Sequence, residues 1–284
     1  MSAFVHTFFD PATATATHVA HDPSSGAAAI IDSVLEFDIR SGRTGRTSAD
    51  QVASYVRANN LQVAWHLETH VHADHLSAAP YLQSILGGQI GIGARVVEIE
   101  KCFGKVFNFG MDGCATAFDR LFEDGDTFSI GTISARVMAV PGHTPADLVY
   151  IVADAAFVGD TLFAPDLGTA RADFPGGCPR ALFRSARRIL SLPPETRLFL
   201  CHDYPPDGRG PRWETTVAEE RANNKHVRDG IDEDAFVAMR TARDATLALP
   251  ALMLPSVQVN MRGGRLPKPD GNGVAYIRIP IDTF

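Results

Sequence analysis

Six consecutive residues, His70-Val71-His72-Ala73-Asp74-His75, hold three imidazoles and a carboxylate. Neutral imidazole and carboxylate are the donors that bind zinc, iron and other first-row metals, so a cluster this dense points to metal chemistry. The alternative is a polar loop satisfied by hydrogen bonds alone. A loop between apolar elements has no packing reason to gather so many imidazoles, and ligating histidines bring hydrogen-bonding neighbours with them. By itself the motif says metal, without saying which.

Three more candidate ligands stand apart in the sequence, and each follows an apolar, β-branched run that reads as a strand. Residues 132–140 lead into Pro141-Gly142-His143, residues 149–158 into Gly159-Asp160-Thr161, and residues 197–201 into His202. Loops at one end of a sheet converge in space even when far apart in sequence, so His143, Asp160 and His202 can join the first cluster. That cluster sits in a strand-to-helix loop. Residues 61–67 form the strand before Glu68-Thr69-His70. The helix after His75 tolerates Pro80 in its first turn, shows Leu82, Ile85 and Leu86 on one face, and stops at Gly87-Gly88.

The remaining elements complete a frame for these loops. Residues 4–39 read as short strands broken by turn residues, with 27–31 a small apolar run. A helix is expected from Ser48, where Ser48-x-x-Gln51 forms a capping box, through Val52, Tyr55 and Val56 to Asn59-Asn60. Helical patterns return at 179–192, 214–227 and 233–249, followed by a Pro- and Gly-rich loop at 266–273 and a terminal strand near 274–279. Strands in two groups, helices between them and ligands at strand ends imply two packed sheets covered by helices. The expected fold is α/β, a four-layer αββα sandwich: one domain over 1–284, with 211–284 a C-terminal helical and strand extension packing on it.

Composition narrows the partners. The chain has 284 residues, 45% hydrophobic and 21% charged, enough for a large core. Its 26 basic and 33 acidic residues give a net charge of -7 with no Lys/Arg block, which excludes a nucleic-acid footprint. An anionic partner must be small and met by individually placed cations. No run approaches the length of a membrane span and the first residues lack a secretory or transit pattern, so a soluble cytoplasmic protein is expected. Cys102, Cys114, Cys178 and Cys201 form no C-x-x-C pair and read as reduced structural thiols; a redox role for Cys178 or Cys201 would need an environment that lowers the thiol pKa.

The H-x-H-x-D-H run, Pro141-Gly142-His143-Thr144, Gly159-Asp160-Thr161 and His202 together resemble the metallo-β-lactamase superfamily. All the ligand positions of its two-metal version are filled. That scaffold hosts hydrolases, nucleases and dioxygenases, so the fold alone does not name the reaction.

Residues outside the ligand set resemble one branch. The 70–79 block, Gly91-Ile92-Gly93, Arg171-Ala172-Asp173-Phe174, His202-Asp203-Tyr204, residues 216–221 and Asn260-Met261-Arg262 are similar to persulfide dioxygenases, over roughly 4–279 of the chain. The resemblance implies one Fe(2+) per chain on His70, His143 and Asp160, with open coordination positions as in other non-haem iron oxygenases. His72, Asp74, His75 and His202 would then orient those ligands by hydrogen bonds. The implied reaction oxidises glutathione persulfide with O₂ and water to sulfite and glutathione. Arg171, Tyr204 and Arg262 are the implied substrate-binding residues, Arg being suited to gripping carboxylates. A rhodanese-type sulfurtransferase and a second copy of the chain are the protein partners it allows for.

Residues 162–168 and 205–213 look like added loop length, as in a bacterial subgroup, and bear on pocket size. Competing readings are a glyoxalase-II-like thioester hydrolase using two metals and all the ligands, and a non-catalytic metal- or persulfide-binding sensor. His6, His18, His21, His66 and His226 lie outside the pattern and read as structural or exposed.

Overall fold

The computed structural model describes residues 2–108, 115–206 and 208–283. Its first half runs through β1 (Phe4–Asp10), β2 (Thr15–His21), β3 (Ala27–Ile31), β4 (Val34–Asp38), β5 (Arg43–Gly45), α1 (Thr47–Ala58), β6 (Gln62–Leu67), β7 (Leu76–Ser77), α2 (Ala79–Leu86), β8 (Gln89–Gly93), α3 (Val96–Val106) and β9 (Arg120–Phe122). The second half follows with β10 (Thr127–Ile130), β11 (Ile133–Ala139), β12 (Leu148–Val152), β13 (Ala155–Phe157), α4 (Pro179–Ile189), β14 (Arg197–Phe199), β15 (Glu214–Thr216), α5 (Val217–Asn223), α6 (Glu233–Asp244) and α7 (Met253–Asn260). Two six-stranded sheets have the orders β1-β2-β3-β6-β8-β9 and β10-β11-β12-β13-β14-β15, and β5-β4-β7 form a small third sheet. Their inner faces meet in an aromatic-rich layer of Phe122, Tyr150, Phe157 and Phe199 with Ile31, Leu67 and Val137. Each such side chain removed from water contributes roughly 2 to 3 kcal/mol. Outside, α1 and α2 cover the first sheet through Val52, Val56 and Leu82, α3 and α7 through Ile99, Phe103 and Val257. On the far side α4 and α6 cover the second sheet through Leu182, Ile189 and Phe236. This is the αββα four-layer sandwich expected from the strand grouping.

Local expectations fared unevenly. Residues 149–158 form two antiparallel strands, β12 and β13, because Ala153 takes a left-handed turn (φ 53°) between them. The capping box at Ser48 is not made: α1 has no side-chain cap, and the Ser48 amide donates instead to the Glu36 carboxylate at 2.6 Å. Residues 214–227 begin as a strand, β15, and only then turn helical. The terminal strand near 274–279 is absent. There the chain pairs with one side chain: Gln258 Nε2 donates to the Arg278 carbonyl at 2.8 Å, and the Arg278 amide donates back to Gln258 Oε1 at 3.0 Å. Cys114 lies outside the described residues. Among those described, no helix is long and apolar enough to cross a membrane.

His18 bolts the sheets together. Its Nε2–H donates to the Leu200 carbonyl beyond β14 at 3.0 Å, Nδ1 accepts from Thr7 Oγ1 at 2.9 Å, and the ring packs on Phe157 and Phe199. Burial holds this imidazole down at about 4, against 6.5 for a free one. The unfolded chain therefore takes up a proton before the folded one does. Stability from the neutral ring is whole above pH 6.5 and is lost as pH falls toward 4. Replacing His18 by Gln should flatten the loss of stability between about pH 7 and pH 4.5 by roughly 2 to 3 kcal/mol, read from urea midpoints. An unchanged slope would show that the ring is not the titrating group.

Candidate metal centre

Every loop that carries a candidate ligand opens at the same edge of the sandwich. His70 to His75 lie between β6 and β7, His143 follows β11, Asp160 follows β13 in a single 3-10 turn, and His202 follows β14. The side chains fall into two groups. In one, His70, His143 and Asp160 bring ligand atoms within 4.8 Å of one another; in the other, His72, Asp74, His75 and His202 do the same. Asp160 joins them: its carboxylate lies 3.9 Å from His70 Nε2, 3.6 Å from His143 Nε2 and 3.4 Å from His202 Nε2.

One buried carboxylate aims two of the imidazoles. Asp32 accepts from His72 Nε2 at 2.9 Å and from Thr69 Oγ1 at 2.9 Å, while Thr69 Oγ1 accepts from His70 Nδ1 at 3.0 Å. His72 is left with Nδ1 free and His70 with Nε2 free. In the same way His143 Nδ1 donates to the Arg171 carbonyl at 2.7 Å, and His202 Nδ1 donates to the Ala14 carbonyl at 3.2 Å. A carbonyl, a carboxylate or, at His70, a hydroxyl behind the ring fixes the tautomer and presents the opposite nitrogen. Sequence reasoning missed Asp32, which has no ligand-like neighbours along the chain. It also read no contact for Asn260, whose Nδ2 donates to the carbonyls of His72 (2.9 Å) and His75 (2.7 Å), while Oδ1 accepts from the Ser77 amide (2.8 Å). That amide side chain, at the end of α7, sets the shape of the ligand loop.

The donors fit a metal ion. His70 Nε2, His72 Nδ1, His75 Nε2, His202 Nε2 and Asp160 Oδ1 are buried without a hydrogen-bond partner. Buried polar atoms are ordinarily paired, because leaving one bare costs the desolvation of that group. So many bare atoms in one place are accounted for by coordination. Charge is divided among the rings: desolvation opposes protonating His72 and His202, yet Asp32 and Asp74 raise them well above the ordinary value. Burial lowers the His70 imidazole well below its ordinary value, keeping it in the neutral, ligating form. Desolvation opposes ionising Asp74, yet His202 and His75 hold its carboxyl well below the usual range.

A cavity of about 480 Å³ reaches this cluster. Of the candidate ligands, Asp74, His143 and Asp160 line it, whereas His70, His72, His75 and His202 are buried behind. Phe163 and Leu167, from the extra loop length after Thr161, form part of its wall.

Tyr204 also lines the cavity, with its ring stacked on His202 at 5.8 Å and Phe163 edge-on at 6.0 Å. Desolvation raises its hydroxyl pKa, so it stays a proton donor. Arg171 lines the cavity too, but its guanidinium is spoken for. Nε and Nη2 grip Asp173 at 2.6 and 2.7 Å, and Nη1 donates to the Ala248 carbonyl at 2.6 Å. Arg262 is not part of the cavity wall. Lys225 and Arg243 are, and neither was expected from sequence.

Gly142 lets the His143 loop approach α4. A Cβ there would sit 2.3 Å from the backbone nitrogen of Leu182, and the Gly142 carbonyl accepts from the Cys178 amide at 2.9 Å. Cys201 is buried, and burial pushes its thiol up, so it lacks the lowered pKa that a reactive thiolate needs. His66 and His226 are likewise structural, the first bonded to the Gly87 carbonyl at 2.8 Å and the second accepting from the Thr169 amide at 3.0 Å.

Residues 24–202 match the model of the metallo-beta-lactamase superfamily. The chain is 57% identical to a probable metallo-hydrolase of Burkholderia pseudomallei (strain 1710b), over 99% of each chain. It is 45% identical to Glyoxylase B2 of Dictyostelium discoideum over 99% of this chain and 97% of that one. Identity to the mitochondrial persulfide dioxygenase ETHE1 of Homo sapiens is 29%, over 90% of this chain and 87% of that one. Some relatives run longer: the chain spans 65% of a beta-lactamase hydrolase-like protein of Agrobacterium fabrum that is 50% identical to it. Among solved structures, ETHE1 from Myxococcus xanthus superposes with a TM-score of 0.75 at 27% identity, covering 92% of this chain and all of that one.

Proposed function

The chain belongs to the metallo-beta-lactamase superfamily, and from that premise we propose that it is an iron-dependent persulfide dioxygenase converting glutathione persulfide, O₂ and water to sulfite and glutathione. The observation that carries this reading is the division of the ligands between cavity and interior. His143 and Asp160 of the first group and Asp74 of the second face a substrate-sized cavity, while His70, His72, His75 and His202 are closed off from it. A small set of two imidazoles and one carboxylate leaves coordination positions for both a sulfur anion and O₂. The likeness to the Myxococcus xanthus ETHE1 structure supports the same reading.

Fe(2+) held by His70, His143 and Asp160 would supply the redox chemistry and the adjacent open positions. The overall change balances: the outer sulfur loses four electrons, O₂ gains four, and sulfite takes two oxygens from O₂ and one from water. The protein's part is positional. The Arg171 carbonyl and the Asp32–Thr69 pair hold the His143 and His70 rings with their free nitrogens toward Asp160. Tyr204 offers a hydroxyl donor at the cavity wall, and Phe163 with Leu167 keeps that wall apolar around the reacting sulfur.

A second reading has its own support. His72, Asp74, His75 and His202 form a group able to hold another metal, and the Dictyostelium relative is named a glyoxylase. Two metals, one held by each group, would suit hydrolysis of a glutathione thioester. Protein purified without oxygen separates the two. One iron per chain with O₂ uptake on glutathione persulfide is expected. Two zinc ions per chain with hydrolysis of S-lactoylglutathione and no O₂ uptake would overturn the dioxygenase.

A further inference from the structure

The carbonyl that orients His143 belongs to a stretch with no scaffold of its own. Residues 169–173 lie in no strand or helix, and among the described residues none of their backbone groups bonds to another backbone group. Side chains hold them instead. His226 Nδ1 accepts from the Thr169 amide at 3.0 Å, Arg240 Nη1 donates to the Thr169 carbonyl at 3.3 Å, and Asp244 Oδ2 accepts from the Ala172 amide at 2.9 Å. Between these anchors stands the Arg171 carbonyl, 2.7 Å from His143 Nδ1. Buried backbone groups need partners, so without those side chains the stretch would have to move to find others.

Arg240 and Asp244 act as one unit. They sit a turn apart on α6, with Asp244 Oδ1 2.8 Å from Arg240 Nε and 2.5 Å from Nη2, and their exposures are only 1% and 4%. Each guanidinium nitrogen and both carboxylate oxygens are thereby engaged within the protein. A buried ion pair adds little net stability, because the loss of two hydration shells offsets the attraction; its best-attested use is to fix one arrangement over others. α6 is attached without it, since Phe236 packs on Phe183 of α4 in the core outside the second sheet. What the pair adds is a donor and an acceptor turned on residues 169 and 172. The backbones at either end of the contact are also packed together: a Cβ on Gly177 would lie 2.6 Å from the Ala172 carbonyl oxygen and 2.9 Å from that of His143.

We propose that Arg240 and Asp244 are positioning residues for the metal centre: by clamping residues 169–172 they hold the Arg171 carbonyl against His143 Nδ1, and so keep Nε2 of that ring aimed at the metal. The role is indirect, and neither side chain has to touch metal or substrate. It does not depend on which reaction the centre performs, since His143 belongs to the ligand group shared by the one-metal and two-metal readings.

Metal binding reads the clamp without turnover. Removing one charge alone would strand the other in the interior, so both are neutralised together. Arg240→Gln/Asp244→Asn keeps a donor for the Thr169 carbonyl and an acceptor for the Ala172 amide, whereas Arg240→Gln/Asp244→Ala loses the acceptor. Phe236→Leu is the control that loosens α6 without touching residues 169–172. Each is titrated with Co(II) against a chelator, with no oxygen or substrate present. Arg240→Gln/Asp244→Ala should bind Co(II) about 10- to 100-fold more weakly than wild type, with shifted Co(II) absorption bands, and Arg240→Gln/Asp244→Asn should recover to within about threefold. Phe236→Leu should lower the urea midpoint and leave both affinity and bands at wild type. If the alanine variant does not fold, Arg240→Met/Asp244→Leu takes its place, because it refills the volume, buries no charge and still drops both bonds to the stretch. Wild-type affinity and bands in the folded variant that lacks the acceptor overturn the proposal. So does an equal loss in Phe236→Leu, which would make the effect one of general stability.

Discussion

Replacing Asp160 by Asn should strip the centre of its metal and lower O₂ uptake on glutathione persulfide by about 10³-fold or more. The side chain keeps its shape and loses its charge. Asp160 approaches His70, His143 and His202 within 3.9 Å, and among the described residues no other carboxylate pairs with imidazoles of both groups. A neutral amide offers a much weaker donor to a divalent cation, and the surrounding imidazoles cannot replace the missing negative charge. The fold should survive, because Asp160 is one residue of a short 3-10 turn and the sheets on either side of it are held by their own cores. Metal analysis, circular dichroism and O₂ uptake on the same sample make the comparison. A folded variant that still holds one equivalent of metal and a tenth of the activity would remove Asp160 from the centre.

The parts of this centre that could be read from the sequence are those whose residue types have no structural reason to be where they are. His70 to His75 stand out because a loop gains nothing in packing from several imidazoles, and His143, Asp160 and His202 because each ends an apolar run. The strand positions follow from β-branched periodicity, and the sandwich from their grouping. What could not be read depends on distant contacts. Asp32 looks like any turn aspartate until the fold sets it against Thr69 and His72. Asn260 is tied to the ligand loop only through the fold, 188 positions from His72. The Ser48 capping box matched the local pattern, but Glu36 reached the same amide from a strand. α7 escaped notice because it is buried nearly all round and shows no amphipathic stripe, unlike a surface helix. Arg171, expected to grip substrate, lines the cavity with its guanidinium already held by Asp173, two positions on. Lys225 and Arg243 belong to no motif, and only the cavity brings them together.

The choice between one metal and two turns on His75. It belongs to the second ligand group, is wholly buried, and makes no contact with Asp160, which His202 does. Its Nδ1 lies 3.3 Å from Asp74 and its Nε2 has no hydrogen-bond partner. If one iron sits on His70, His143 and Asp160, His75 acts only through Asp74 and the shape of the loop. His75→Gln should then retain one iron per chain and lose about 10- to 100-fold in kcat, the usual cost of disturbing groups around a metal's ligands. If two metals are bound, the same variant loses a direct ligand: metal content should fall from two equivalents to one, and hydrolysis of S-lactoylglutathione should nearly vanish. Asp160→Asn is damaging in both cases and cannot distinguish them. His75→Gln can, because it lies on one side only of the carboxylate that joins the two groups.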